Sequence, residues 1–558
     1  MNPMPWLKYY EPQMPHSLKP YPEITMIDVV AETVRQRPAH TALIFKGTRI
    51  SYGELDRLSN AFGEALVEAG VKKGERVVLL LPNSPQVVIA QLGAWKAGAI
   101  VAPMNALYTE YELEKMLKEI GAETVVVLTP FYGKVKAVQP RTQIRRVIVT
   151  NIKEYLPWPL RLLFTLLKEK KGGHRAVLQE GDLRMHEMIR RHRQAPRPAV
   201  DVSFRDPAIL LCSGGTTGVA KAALGSHHAV VMAAMQLHTY GQTVLNDWED
   251  TLTWAMPNFH IYGNWAMTTS LVARWPMAVV VNPRDMDDLI DTICKTRPAV
   301  LHGVPTLFNT LLNHPKVKAG KVDFKFMKIC YSAAAPLLME TKKRFEDLTG
   351  GWLLEAYAMT ETMLAAVVCP VHGPYKEGST GIPVPDVELR IVDVETGLND
   401  LPPLAVGEIV IRAPQLMTGY WNQPEETAEM IRDGWLFTGD IGYMDEDGYL
   451  FIVDRKKDLV KPSSGFQVWP REVEEVIAAH PAVMEVCVGG VPYQEESEVV
   501  KAWVVLRPKM GHTQVEDIRA FCRERLSAYK VPRLIEFRES LPKTMVGKVL
   551  RRMLVAED

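Results

Sequence analysis

Four short stretches of this chain combine residue types that can handle anions. The first brings a strand-like run, Ala208 to Cys212, into Ser213-Gly214-Gly215-Thr216-Thr217-Gly218 and then Lys221. Glycines leave backbone N–H groups free to approach phosphate oxygens, and the hydroxyls and the lysine add donors and charge. It is not a Walker A loop, which ends in Gly-Lys-Ser/Thr. The second is Glu355-Ala-Tyr-Ala-Met-Thr-Glu-Thr362. Here Tyr357 can stack on a base, Thr360 can bond a phosphate, and Glu361 can hold Mg²⁺, a hard cation that favours oxygen ligands. The third runs from Trp435 to Leu459. Its Asp440, expected in a turn after a strand, can accept two vicinal hydroxyls. The fourth, Leu541 to Arg552, places Lys548 beside a loop glycine, Gly547. Singly, each has an ordinary structural explanation: a turn, a buried tyrosine with a capping threonine, a carboxylate capping its own backbone, a solvated lysine.

Together, in this order and at these separations, the four resemble the adenylate-forming superfamily of acyl-CoA ligases, luciferases and adenylation domains. The resemblance covers nearly the whole chain and is nearest to long-chain fatty-acid CoA ligases. Pro257 to Gly263, His302 to Pro315, Ala333 to Leu337 and Ser463 to Val476 support it. It implies an AMP-forming ligase: a carboxylic acid, most simply a long-chain fatty acid, attacks ATP to give acyl-AMP, and coenzyme A takes the acyl group. By resemblance, Ser213 to Gly218 with Lys221 form the phosphate loop, with Thr216 a contact to Mg²⁺. Ala334 and Tyr357 flank the adenine. Thr360 and Glu361 serve phosphate and Mg²⁺, and Asp440 with Arg455 hold the ribose. Lys457 falls at the hinge, Lys461 near the thiol step, Lys548 at the adenylation lysine, and His260 beside the carboxylate. Ala356 and Ala358, around Tyr357, and Ala222, after the loop lysine, stand where the family usually has glycine, and the methyls near the adenine imply a narrowed pocket. Two other readings stay open: a ligase for medium-chain or aromatic acids, and a nucleotide-binding relative with reduced catalysis.

These motifs need a scaffold. Strand-like runs such as Arg76 to Leu81, Thr124 to Leu128 and Arg146 to Thr150 alternate with helix-like runs such as Tyr52 to Gly70 and Gln86 to Ala97. Such alternation predicts α/β layers on parallel sheets. Val387 to Asp393 and Gly407 to Ala413 read as an antiparallel or barrel-like subdomain. A smaller α+β unit follows, with helices from Pro470 and Val515 and strands from Val483 and Lys501. The charged run Asp454-Arg455-Lys456-Lys457-Asp458 separates the two parts, so the predicted domains are 1–454 and 455–558, joined by a hinge.

The chain has 558 residues, more than one core usually spans. Lys plus Arg equals Asp plus Glu at 65 each, so no basic stripe points to nucleic acid. The six cysteines are scattered without a CxxC pair, which fits a reducing cytoplasm rather than a zinc ribbon or a disulfide framework. No apolar run approaches a spanning helix. Tyr155 to Gly173 reads first as a core-facing helix with a solvated basic end, and second as a helix resting on the inner face of a membrane. A homodimer is compatible with the chain.

Overall fold

The structure is a computed structural model that describes residues 4–213, 221–460, 468–493, 496–508, 510–544 and 549–557. Among the described residues, a large N-terminal domain is built on two extended sheets, and a small C-terminal domain carries a third sheet of three strands. The eight-stranded sheet has a parallel centre: Ile100–Pro103, Arg76–Leu80, Thr124–Leu128 and Arg146–Thr150. In Arg76–Leu80, Val77 and Leu79 enter one hydrophobic core while Val78 and Leu80 enter another. Side chains alternate along a strand, so a sheet covered on both faces reads as a continuous apolar run. Helices Pro85–Lys96 and Ile261–Ala273 are buried on every side, as their largely apolar sequences lead one to expect.

The larger sheet has 14 strands among the described residues. Its parallel half includes Leu252–Trp254, Val300–Gly303, Ile329–Ala333 and Trp352–Met359. The strands read from Val387 and Gly407 are Glu388–Val392 and Gly407–Arg412. They form the antiparallel end of the same hydrogen-bonded path, beside Trp435–Met444 and Leu450–Arg455.

The small domain pairs Val483–Tyr493 with Glu496–Leu506, and the latter with Leu534–Phe537. Its core gathers Val473, Ile477, Val488, Val504 and Ile518. Among the described residues no helix is long and apolar enough to cross a membrane.

The segment from Tyr155 departs from its first reading. Helix Trp158–Leu167 has no buried residue. Phe164 is half-buried against the core and meets the His174 ring at 5.0 Å, while Trp158, Leu162 and Leu166 face solvent. Periodicity identified the helix but not the side on which the core lies.

Candidate functional site

Strands Pro207–Ser213 and Lys221–Ser226 are antiparallel neighbours, with Ser213 opposite Lys221. They hold the two ends of the glycine–threonine loop. Gly214, Gly215, Thr216, Thr217 and Gly218 lie outside the described residues, as do Lys461 and Lys548. The Lys221 ammonium sits 5.0 Å from the centre of the Tyr420 ring. Strand Gly419–Tyr420 pairs with Lys221–Ser226, which fixes that ring beside the loop's exit.

Tyr420 reaches further. Its hydroxyl donates to Glu361 Oε1 at 2.7 Å, and the Glu361 carbonyl accepts from Met417 N at 2.9 Å. Burial and the adjacent carboxylate hold the Tyr420 phenol well above its usual range, so it stays a donor. Glu361 is therefore a buried, oriented carboxylate. It follows Thr360, which is half-buried in the turn after Trp352–Met359.

The second cluster joins two motifs. The Tyr357 hydroxyl donates to Asp440 Oδ2 at 2.6 Å. Arg455 Nε donates to Asp440 Oδ1 at 2.9 Å. Asp440 and Arg455 are direct cross-strand partners in the antiparallel pair Trp435–Met444 and Leu450–Arg455. Asp440 thus lies within a strand, not in the expected turn. Its neighbour Gly439 takes φ +67°, and the pairing is bulged between Ile441 and Gly442. A bulge re-aims a side chain without ending the strand. Thr438 Oγ1 accepts from Asp440 N at 3.0 Å and completes the local bonding. Ala334 is exposed in the left-handed region at φ +72°, just beyond strand Ile329–Ala333.

His260 caps helix Ile261–Ala273, with its Nδ1 accepting from Tyr262 N at 3.2 Å. The turn is tight. A Cβ on Gly263 would lie 2.1 Å from Pro257 O, so only glycine fits. Behind the turn, buried amides interlock: Asn258 Nδ2 and Asn264 Nδ2 donate to Gln91 Oε1 at 3.2 and 3.0 Å, and Asn258 N donates to Asn83 Oδ1 at 2.8 Å.

A small apolar cavity follows this helix, lined by Ile261, Tyr262, Trp265, Tyr331, Ala356 and Ala358. Ile261 and Trp265 also line a second cavity with Thr268 and Met363. Trp265 packs edge-on against His302 at 4.9 Å, and burial pushes that imidazole down to about 3, so it is neutral. Ala356 and Ala358 sit two apart on one strand and share this cavity, whereas Tyr357 between them bonds Asp440. The added methyls therefore narrow the space beside His260's helix.

Lys457 lies in the single turn Lys456–Asp458, between strand Leu450–Arg455 and the small domain. Around it, Asp454 accepts from Arg455 N and Arg471 N, both at 2.7 Å. Arg551, near the C-terminus, bonds Asp458 at 2.6 Å and Glu474 at 2.9 Å.

The sequence of residues 30–421 matches the family model described as AMP-binding enzyme, and residues 472–548 match the AMP-binding enzyme C-terminal domain. The chain belongs to the AMP-binding enzyme family. It is 36% identical over 558 residues to the long-chain-fatty-acid–CoA ligase of Bacillus subtilis, covering 99% of this chain and 98% of that protein. Among solved structures it is similar to ATP-bound MatB from Rhodopseudomonas palustris, at 28% identity and a TM-score of 0.82, covering 96% of this chain and 99% of MatB. The apo form of MatB covers the same shares at the same identity, with a TM-score of 0.72. Membership makes the chain an enzyme, and the full-length similarity to a CoA ligase makes it an acid–thiol ligase of the AMP-forming kind, as its motifs lead one to expect.

Sequence reading missed Tyr420 and the buried amides. Tyr420 has no local signal, because its partner is 59 residues away. Gln91 and Asn264 did carry one: each is an amide inside a largely apolar helix, and buried amides need partners.

Proposed function

We propose that the chain activates a long-chain fatty acid with ATP and passes it to coenzyme A. The observation that carries this reading is the full-length similarity to a ligase named for long-chain fatty acids. The apolar lining of the small cavities beside the helix that follows His260, with Trp265 in both, suits an aliphatic chain. Such an acid partitions into lipid, so peripheral contact with a membrane suits the enzyme.

In this reading Tyr357 stacks on the adenine. Its hydroxyl and Arg455 together aim the Asp440 carboxylate at the ribose hydroxyls. The amides and hydroxyls from Ser213 to Gly218, with Lys221, cradle the phosphates, and Ala334 borders the base. Thr360 holds the α-phosphate. The acid carboxylate lies beside His260 with its chain toward Trp265.

Among the described residues there is no group of three or more His, Cys, Asp or Glu side chains placed to hold a metal. A lone oriented Glu361 still fits Mg²⁺, which commonly binds one or two carboxylates and takes its other oxygens from nucleotide phosphates. Glu361, with Thr216, would hold the ion, which neutralises phosphate charge when bound. Attack on phosphorus joins two anions, so placed cations and donors must carry the developing charge. Lys548 supplies one for the first step. Lys461 serves the second, in which the thiol of coenzyme A attacks the acyl carbonyl and AMP leaves.

The two steps need different groups around one carbonyl, so residues 455–558 rotate on residues 1–454 about Lys457. The higher score against the ATP-bound form of MatB, at equal identity and coverage, favours an arrangement suited to the first step.

The aromatic wall of Tyr262, Trp265 and Tyr331 favours one second reading, an aromatic acid. A series from acetate to stearate, with benzoate and coumarate, separates them. Efficiency should rise severalfold per methylene, at about 0.8 kcal/mol each, until the chain fills its site. A maximum at benzoate or coumarate would replace the long-chain reading.

A further inference from the structure

Helix Trp158–Leu167 inverts the usual arrangement of a surface helix. Successive residues turn by about 100°, so Trp158, Leu162 and Leu166 lie along one line, flanked by Leu163 and Leu167. That line faces away from the protein. Trp158 is 78% exposed and Leu166 is 71% exposed, while Phe164 on the opposite side meets the core. The exposed charges on its own stretch of chain, residues 157–178, share one sign. Arg161, Lys168, Lys170, Lys171 and Arg175 are exposed, and the one acid between residues 157 and 178, Glu169, is buried against Lys153 and Asn151.

We propose that this helix docks the enzyme on an anionic lipid bilayer, lying in the plane of the surface. The leucines enter the acyl boundary, Trp158 sits at the headgroup level, and the cations meet lipid phosphates. Charge complementarity selects this occupant. A second copy of the chain fits less well: a ten-residue helix, about 15 Å long, offers far less than the roughly 800 Å² each partner of a stable interface buries. The docking stands on this surface alone and does not depend on which acid the enzyme activates.

The test is co-sedimentation of the full chain with vesicles of phosphatidylcholine, with and without phosphatidylglycerol. Binding to the anionic vesicles, weakened by salt, is expected. Leu162→Glu with Leu166→Glu should lower it by more than about tenfold, since two leucines no longer enter lipid. Replacing Arg161, Lys168, Lys170 and Lys171 by glutamine should remove the preference for anionic lipid. Because all these positions are exposed, unchanged melting curves are expected, and the glutamine variant keeps the test decisive if the glutamates disturb the helix. No binding to anionic vesicles, equal binding by wild type and both variants, or a solution dimer that the glutamates dissociate without any vesicle binding would overturn the proposal.

Discussion

Tyr357 and Asp440, 83 residues apart in sequence, are joined by a buried hydrogen bond of 2.6 Å. The bond fixes the plane of the Tyr357 ring and the rotamer of the carboxylate together. Tyr357→Phe keeps the ring and loses the bond. It should raise the Michaelis constant for ATP roughly fivefold, in line with a net loss of about 1 kcal/mol. Tyr357→Ala also loses the stacking surface, worth about 1–3 kcal/mol per base, and should raise the constant well above that of the phenylalanine variant. Equal ATP constants in the two variants would remove the ring from the base site.

Tyr420 acts on Glu361. Tyr420→Phe leaves the carboxylate buried but free to turn. If Glu361 holds Mg²⁺, the Mg²⁺ concentration giving half-maximal rate should rise about tenfold, the scale on which outer partners tune metal ligands. The Michaelis constant for the acid should stay put. A titration of initial rate against Mg²⁺ checks this, and an unshifted midpoint would detach Glu361 from the ion.

Ala358→Gly enlarges the cavity shared with Trp265 by one methyl group. Preference between long or bulky acids and short ones should shift severalfold toward the former, the scale of one buried carbon. The Michaelis constant for ATP should not change, because the methyl lies in this cavity while Tyr357 bonds Asp440. Competition assays with paired acids read the ratio directly, and a change confined to ATP would return Ala358 to the adenine side.

Lys548 serves only the first half-reaction in this account. Lys548→Ala should lower acyl-adenylate formation by about two to three orders of magnitude, the usual cost of losing a charge-stabilising group. Given pre-formed acyl-AMP and coenzyme A, the variant should still make thioester. Equal loss in both half-reactions would contradict the assignment.

Much of the scaffold was legible because parallel strands covered on both faces, such as Thr124–Leu128, read as unbroken apolar runs. The domain order followed from the change of pattern after Asp454. Other features were hidden for identifiable reasons. Gly439 at φ +67° reads like a turn, yet the strand continues through it and pairs Asp440 with Arg455. The Tyr420–Glu361 contact depends on how Gly419–Tyr420 lies beside Lys221–Ser226, a pairing across nearly 200 residues that no local period encodes. The added methyls at Ala356 and Ala358 could be assigned to a cavity only once the strand's two faces were known.

The most direct test of the whole account is product analysis with ATP, Mg²⁺, coenzyme A and palmitate. The account predicts AMP, pyrophosphate and palmitoyl-CoA in equal amounts, with no AMP when palmitate is left out. Formation of ADP, or hydrolysis of ATP that does not depend on the acid, would contradict it.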